Sequence, residues 1–396
     1  MWFLPAAFSG LAVFTLFVAY GVAGFAPDEL PFTIPQDAVS SVLNVLASSL
    51  LTVAVFALSS MVAALSSASQ ATTPRAVPLI IGDRQAQTSI SVFIGAFLFS
   101  VLGIIGLSVE VYSEAGRLIL FFVTLAVVLL VIMALVRWIG QVSQIGRVGQ
   151  TIDRTESATG DAFAIAESPS NFGCLARDFP AEGDAIFAAE IGYVQSLDVQ
   201  RLQTIAEDQG LMVHVTARPG AYVDHRRPLA RIVGAPNDAC RDDLRKSFVV
   251  GDMRTFDSDP RFGLVVLGEI ASKALSPGIN DPGTSIDVIG TATRVIAGWK
   301  ALEPGEIRHD RLSIEPLVEA DLIEDVFRPI ARDGAAMIEV VLRLLSALET
   351  IEGLDPNLEE PARMMAGDVN ARAMAALTAD TDRTALERMM ASHFAP

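Results

Sequence analysis

The sequence predicts an α-helical membrane domain of four transmembrane helices, followed by a cytoplasmic α+β domain. The second domain holds a small β-barrel- or sandwich-like module and a helical bundle. Three observations predict this. Charge is segregated along the chain, four long apolar stretches lie in the charge-poor part, and short strand-like runs followed by helical stripes fill the rest. Of the 396 residues, 51% are hydrophobic, and mean hydropathy is +0.44. Residues 1–144 hold four basic side chains (Arg75, Arg84, Arg117, Arg137) and six acidic ones. From totals of 29 basic and 46 acidic residues, that leaves 25 and 40 for residues 145–396, a net charge of −15. The apolar content excludes a disordered chain. The acidic half repels phosphate, which argues against a nucleic-acid partner. Two cysteines with no CxxC spacing exclude a disulfide scaffold.

The membrane domain spans residues 1–145. A helix crossing a bilayer needs about 20 apolar residues, and stretches at about 2–25, 38–65, 90–107 and 118–139 meet that length. A cleaved leader is the other reading of the first stretch, but no basic segment precedes it. Lys and Arg concentrate in cytoplasmic loops. Arg75 and Arg84 lie between the second and third stretches, Arg137 lies at the end of the fourth, and Arg147 and Arg154 follow it. Both termini and the second domain are therefore expected on the cytoplasmic side of the membrane. The bilayer is the expected partner.

The second span is unusual. At 3.6 residues per turn, Ser41, Ser48, Thr52, Ser59, Ser66 and Gln70 fall on one narrow face. Lipid solvates such groups poorly, so the stripe is expected to face protein or water. Two readings follow: a packing seam of small residues, or the lining of a pore assembled from several copies. No ionisable residue lies deep in any span, which argues against an ion-coupled carrier.

Residues 146–180 read as a polar connector with some helix near 147–157. Residues 181–236 read as the β-rich module, with strands near 185–193, 211–216, 222–223 and 228–233 and a helix at 198–209. Its Arg218-Pro219-Gly220-Ala221-Tyr222-Val223 run resembles the half-motif of biotinyl- and lipoyl-like sandwiches. The only lysines are Lys246, Lys273 and Lys300, so no modified lysine and no cofactor is expected. Residues 237–396 read as helical, with helices near 241–249, 261–275, 282–302, 319–332, 334–351 and 370–391. A Pro- and Gly-containing link is expected at 355–368.

The polar residues that could carry chemistry cluster in Arg254, Asp257, Asp259 and Arg261, then Ser276, Pro277, Gly278, Asn280, Asp281, Pro282 and Thr284. Asp257 and Asp259 admit a divalent-cation reading, since hard cations take carboxylates. They equally admit Arg–Asp pairing and helix capping. Four scattered histidines without metal spacing argue against a zinc enzyme. With no phosphate-binding loop or nucleophile elbow either, no enzymatic activity is expected.

A family resemblance emerges from these residues. Ser66 to Gln70, Thr73-Pro74-Arg75, Asp83-Arg84-Gln85 and Val92 to Phe97 resemble predicted bacterial membrane proteins grouped as domain of unknown function 2254. The resemblance continues in Arg254-Thr255-Phe256-Asp257, Asp259 to Gly263 and, most specifically, Ala274-Leu275-Ser276-Pro277-Gly278-Ile279-Asn280-Asp281-Pro282. It implies a multi-pass membrane protein and supplies no catalytic residue. The functional expectation is an oligomeric ion channel or channel-like conduit with a cytoplasmic assembly or regulatory domain. The alternative is a membrane-anchored cytoplasmic scaffold or sensor, without transport activity, that binds a partner or small ligand around Arg254–Thr284.

Overall fold

In the computed structural model, the described residues are 34–81, 84–109, 112–142, 147–167, 170–175, 183–302 and 306–394, with helical positions scattered between 6 and 18. The chain divides into two compact units. One comprises Met1–Gln70 and Val77–Arg147, the other Ala71–Ala76 and Val148–Pro396.

The first unit contains helices α1 (Gln36–Ala71), α2 (Val77–Ile81), α3 (Arg84–Ser108) and α4 (Glu114–Val142). Among the described residues, three stretches are long and apolar enough to cross a membrane: Gln36–Ser67, Thr88–Ser108 and Glu114–Gly140. The first expected span, at 2–25, lies mostly outside the described residues. α1 buries Val39, Leu43, Leu46, Leu50, Ala54, Ala57 and Met61. Their spacing of three and four residues keeps one face inward. They pack with Phe93, Phe99, Leu120 and Trp138 in one apolar cluster. Gly103 lets α3 approach α1, because a Cβ there would lie 3.1 Å from Leu43.

The second unit opens with α5 (Val148–Glu167), then β1 (Cys174–Leu175), β2 (Asp184–Phe187), β3 (Gly192–Leu197), α6 (Val199–Asp208), β4 (Met212–Val215), β5 (Tyr222–Val223), β6 (Pro228–Val233), α7 (Asp238–Arg245) and β7 (Phe248–Gly251). It continues with α8 (Pro260–Ala274), α9 (Pro282–Lys300), β8 (His309–Ile314), α10 (Glu319–Asp333), α11 (Ile338–Glu352), α12 (Pro356–Ala376) and α13 (Asp380–His393).

The β-rich part departs from the expected barrel or sandwich. Its main sheet is five-stranded and mixed, in the order β1-β8-β4-β6-β2, and a separate three-stranded sheet runs β5-β3-β7. β8 joins β4 in parallel from nearly a hundred residues downstream. The reason lies in β4, where Val213, His214 and Val215 are successive buried residues. A strand buried on both faces lies inside a sheet and needs neighbours on both edges. β6 supplies one neighbour and β8 the other. The module is therefore not confined to 181–236.

Residues 146–180 are more than a connector. α5 buries Ile152 and Phe163 in the helical core, and Phe163 stacks on Trp299 with ring centroids 5.4 Å apart. The expected link at 355–368 is helix. Asp355 caps α12 by accepting from the Asn357 amide (2.8 Å), and Pro356 sits in the first turn, where a missing N–H costs nothing. The helix expected near 241–249 splits into α7 and strand β7.

Candidate functional site

The helix α8 is the structural centre of the polar motifs. Asp259 is its N-cap, accepting from the Phe262 amide (3.1 Å). Arg254 grips the same carboxylate with two bonds, Nε to Oδ2 at 2.7 Å and Nη2 to Oδ1 at 2.9 Å. The Arg254 guanidinium also lies 5.4 Å from the Phe262 ring centroid. Asp259 is only 2% exposed. Burial raises the pKa of its carboxyl, and the Arg254 guanidinium, the Phe262 amide and the more distant Arg261 offset that only in part. Both carboxylate oxygens are thereby occupied. The divalent-cation reading of Asp257 and Asp259 is therefore corrected: Asp259 is spent on Arg254 and the cap, and Asp257 is exposed. Among the described residues, no group of three or more His, Cys, Asp or Glu side chains is arranged to hold a metal.

The Pro219-Gly220 turn closes over Asp259. Gly220 has φ +90°, and a Cβ there would overlap the Asp259 carboxylate. Its amide donates to the Val194 carbonyl (2.7 Å). The glycine of the supposed sandwich half-motif thus serves a close approach to the helix cap, 39 residues away in sequence.

Along α8, three polar side chains reach three different places. Arg261 donates to Asp325 (2.7 and 3.2 Å) and to Asp321 (2.5 Å), both on α10. Burial works against the Arg261 charge, and the bond and fields of Asp325 and Asp321 outweigh it and raise its pKa. Glu269 accepts from the Thr73 hydroxyl (2.8 Å) and pairs with Arg75. Ser272 donates to Asp333. Two glycines allow close packing. A Cβ on Gly263 would overlap the Thr159 side chain of α5, and one on Gly268 would lie 3.0 Å from the Asp325 carbonyl oxygen.

The Ser276–Pro282 turn ends α8 and starts α9. The Asp281 amide donates to the Ala274 carbonyl (2.8 Å), and the Asn280 amide donates to that of Ser276 (2.8 Å). Asn280 stands at φ +53°, a conformation asparagine tolerates better than most residues. Ser276 donates to the Lys273 carbonyl (2.6 Å). Asp281 caps α9, accepting from the Thr284 hydroxyl (2.7 Å) and amide (3.2 Å), which lower its pKa. Pro282 occupies the first helical turn, and Pro277 and Gly278 are exposed. Capping and chain reversal account for the motif's polar groups.

In the first unit, Ser41, Ser48, Thr52, Ser59, Ser66 and Gln70 are all exposed. They lie roughly 180° around α1 from its buried face, at about 100° per residue. Among the described residues of one chain they pack against no other helix, and both readings, a seam between copies and a lining, stay open. Ser48 and Thr52 donate to their own helix, to the carbonyls of Asn44 (2.8 Å) and Ser48 (3.2 Å). Gln70 donates to the Ser66 hydroxyl (3.4 Å). Arg84 opens α3, and Asp83 lies outside the described residues.

With apolar spans, a mixed-sheet domain and the α8 motifs in place, the family follows from the sequence match over residues 1–350. The chain belongs to the family described as "Predicted membrane protein (DUF2254)". The DUF2254 match takes in the spans, both sheets and α8 to α10, and ends within α11. An uncharacterized protein of Mycobacterium bovis and one of Mycobacterium tuberculosis are each 32% identical over 142 residues, 33% of this chain and 27% of theirs. The matched region thus spans about a quarter of the length of these relatives. No solved structure matches.

Sequence reasoning located Arg254, Asp259, Arg261 and Asp281. It missed their partners Gly220, Asp321 and Asp325, and it missed Glu269 and Thr159. Two small residues, Gly263 and Gly268, on the apolar stripe of α8 were the available signal, since glycine there costs helix stability unless a neighbour comes close.

Proposed function

We propose that this membrane protein is a non-enzymatic, oligomeric conduit for ions, lined by the outward face of α1. The second unit is its cytoplasmic assembly or regulatory part, placed on the inner side of a bacterial inner membrane. The observation that carries this reading is the exposed polar stripe from Ser41 to Gln70, opposite the buried face along a helix long and apolar enough to span. Lipid tails offer such groups no partner. The back-bonds of Ser48 and Thr52 satisfy their donors and leave hydroxyl lone pairs and the Gln70 amide to be solvated. Facing a water-filled path does so, and a path of useful width needs several copies.

The scaffold-or-sensor alternative draws less support. Its candidate residues Arg254, Asp259, Arg261 and Asp281 are engaged in internal pairs and caps.

The test is reconstitution of the purified full chain in liposomes, with ion flux recorded across a range of voltage and membrane tension, beside the mass of the particle in detergent. A closed oligomer passing ions, and loss of flux in Ser48→Leu or Ser59→Leu with the oligomer intact, is the expected result. A monomeric particle or silent liposomes overturn it.

A further inference from the structure

The segment Ala71–Ala76 is short, joins two spans, and belongs to the second unit, although the chain on either side of it belongs to the first. Three contacts explain this. Ala76 is fully buried and sits in the helical core of the second unit. Thr73 is 5% exposed and donates its hydroxyl to Glu269 Oε2 (2.8 Å), while its oxygen accepts from the Arg75 amide (3.3 Å). The Arg75 guanidinium covers Glu269 Oε1. One carboxylate of α8 thus holds both ends of a Thr-Pro-Arg turn, with a 3₁₀ turn at Pro74–Ala76 between them and the core. The helix it belongs to also packs against α5 through Gly263 and Thr159, and α5 is the segment that follows the last span. α8 therefore touches both the Ala71–Ala76 segment and α5. Its other polar contacts, to α10 at Asp321, Asp325 and Asp333, tie it to the helical bundle.

We propose that Thr73, Arg75 and Glu269 form a latch by which the second unit, through α8, holds the loop between two spans in one conformation. The hydroxyl–carboxylate bond, buried at Thr73 and partly open at Glu269, supplies the specificity, because a polar group ordered away from water is costly to leave unmade. The half-exposed Arg75–Glu269 pair is solvated enough to open. Anything that displaces α8 within the bundle releases the loop, and with it the end of α1 at Ala71. The latch stands whether or not the spans conduct.

The experiment is hydrogen–deuterium exchange of the full chain in detergent, comparing the wild type with Glu269→Gln, Thr73→Val and Arg75→Ala. The expected result is exchange roughly tenfold faster at amides within 72–81 for Thr73→Val, with exchange in α10 and α11 unchanged, and a smaller increase for Glu269→Gln, whose amide oxygen still accepts from Thr73. The Arg75→Ala effect is smaller, as the pair is exposed. The charge-swapped double variant Arg75→Glu/Glu269→Arg restores part of the protection. Unchanged exchange at 72–81, or faster exchange spread evenly over the whole second unit, overturns the latch. Arg75→Ala removes only a half-exposed side chain, so it folds even if Glu269→Gln does not. Its failure to change the loop alone would then decide against the proposal. Flux measured on the same variants reads the conduit separately: silent wild-type liposomes count against the conduit and leave the exchange result standing.

Discussion

Helices α1 and α8 use their polar residues in opposite ways. On α8, Arg261, Glu269 and Ser272 each reach another segment of the chain, and the helix cap Asp259 is locked by Arg254. On α1, Ser48 and Thr52 bond only to the carbonyls of their own helix and remain exposed. Polar side chains that touch many partners hold an architecture together. Polar side chains that touch none beyond their own helix, on an apolar span, leave a face for water or for another copy. The difference separates the part of this protein that builds from the part that offers a surface.

The largest effect expected from breaking this contrast is at the α8 cap. Arg254→Ala leaves Asp259 buried beneath Gly220 without its guanidinium. Removing one partner of a buried ion pair costs about 3–5 kcal/mol. The urea midpoint of the second unit should fall accordingly. The double variant Arg254→Ala/Asp259→Asn should recover much of the loss, because an amide oxygen still accepts from the Phe262 amide and no charge is stranded. If Arg254→Ala leaves the midpoint unchanged, the cap is not the anchor argued above.

A smaller effect comes from the main sheet. His214 is 7% exposed on β4, with Nδ1 2.8 Å from the Ser313 hydroxyl oxygen on β8. Burial lowers its pKa, and the positive Arg231 on the paired strand lowers it further. Glu315, 3.9 Å from Nε2, acts the other way but is more than half exposed. His309 on β8 is lowered for similar reasons, burial first and then Arg308. A folded pKa below the unfolded one means that the unfolded chain binds the extra proton first. The contribution is therefore fully present above the unfolded pKa of about 6.5 and is lost as pH falls below it. The urea midpoint should decline between pH 7 and 5.5, and His214→Gln should flatten that decline. A midpoint that rises on acidification would show that Glu315 outweighs burial.

These residues also mark what could be read from sequence. The spans and α8 announced themselves because helix periodicity is local, and Asp281-Pro282 announced α9 because a cap and a first-turn proline act over three residues. The contacts of Gly220 with Asp259, of β4 with β8 and of Thr73 with Glu269 were illegible. Each joins segments separated by tens to nearly two hundred residues, and no local pattern encodes which acid meets which base. The run Met212–Val215 showed a strand, but only its neighbours reveal that it is an inner one. The α1 stripe was legible as a stripe. Whether it faced protein depended on where the second helix face, Leu43 to Met61, found its partners.

The smallest expected effect on stability is on that stripe. Ser48→Ala and Ser59→Ala remove exposed hydroxyls, so thermal unfolding in detergent should move by no more than about 0.5 kcal/mol. Leu43→Ala, on the opposite face against Gly103, should cost about 2–5 kcal/mol. A bulkier change sharpens the comparison. If copies pack along the stripe, Ser48→Leu separates them, because small residues set how closely helices approach, and the particle in detergent becomes smaller. If the stripe faces a water-filled path, the leucine points into open space, the particle keeps its size, and only flux is lost. Stability, particle mass and flux respond in different combinations to the same substitution, so one residue decides between a seam and a lining.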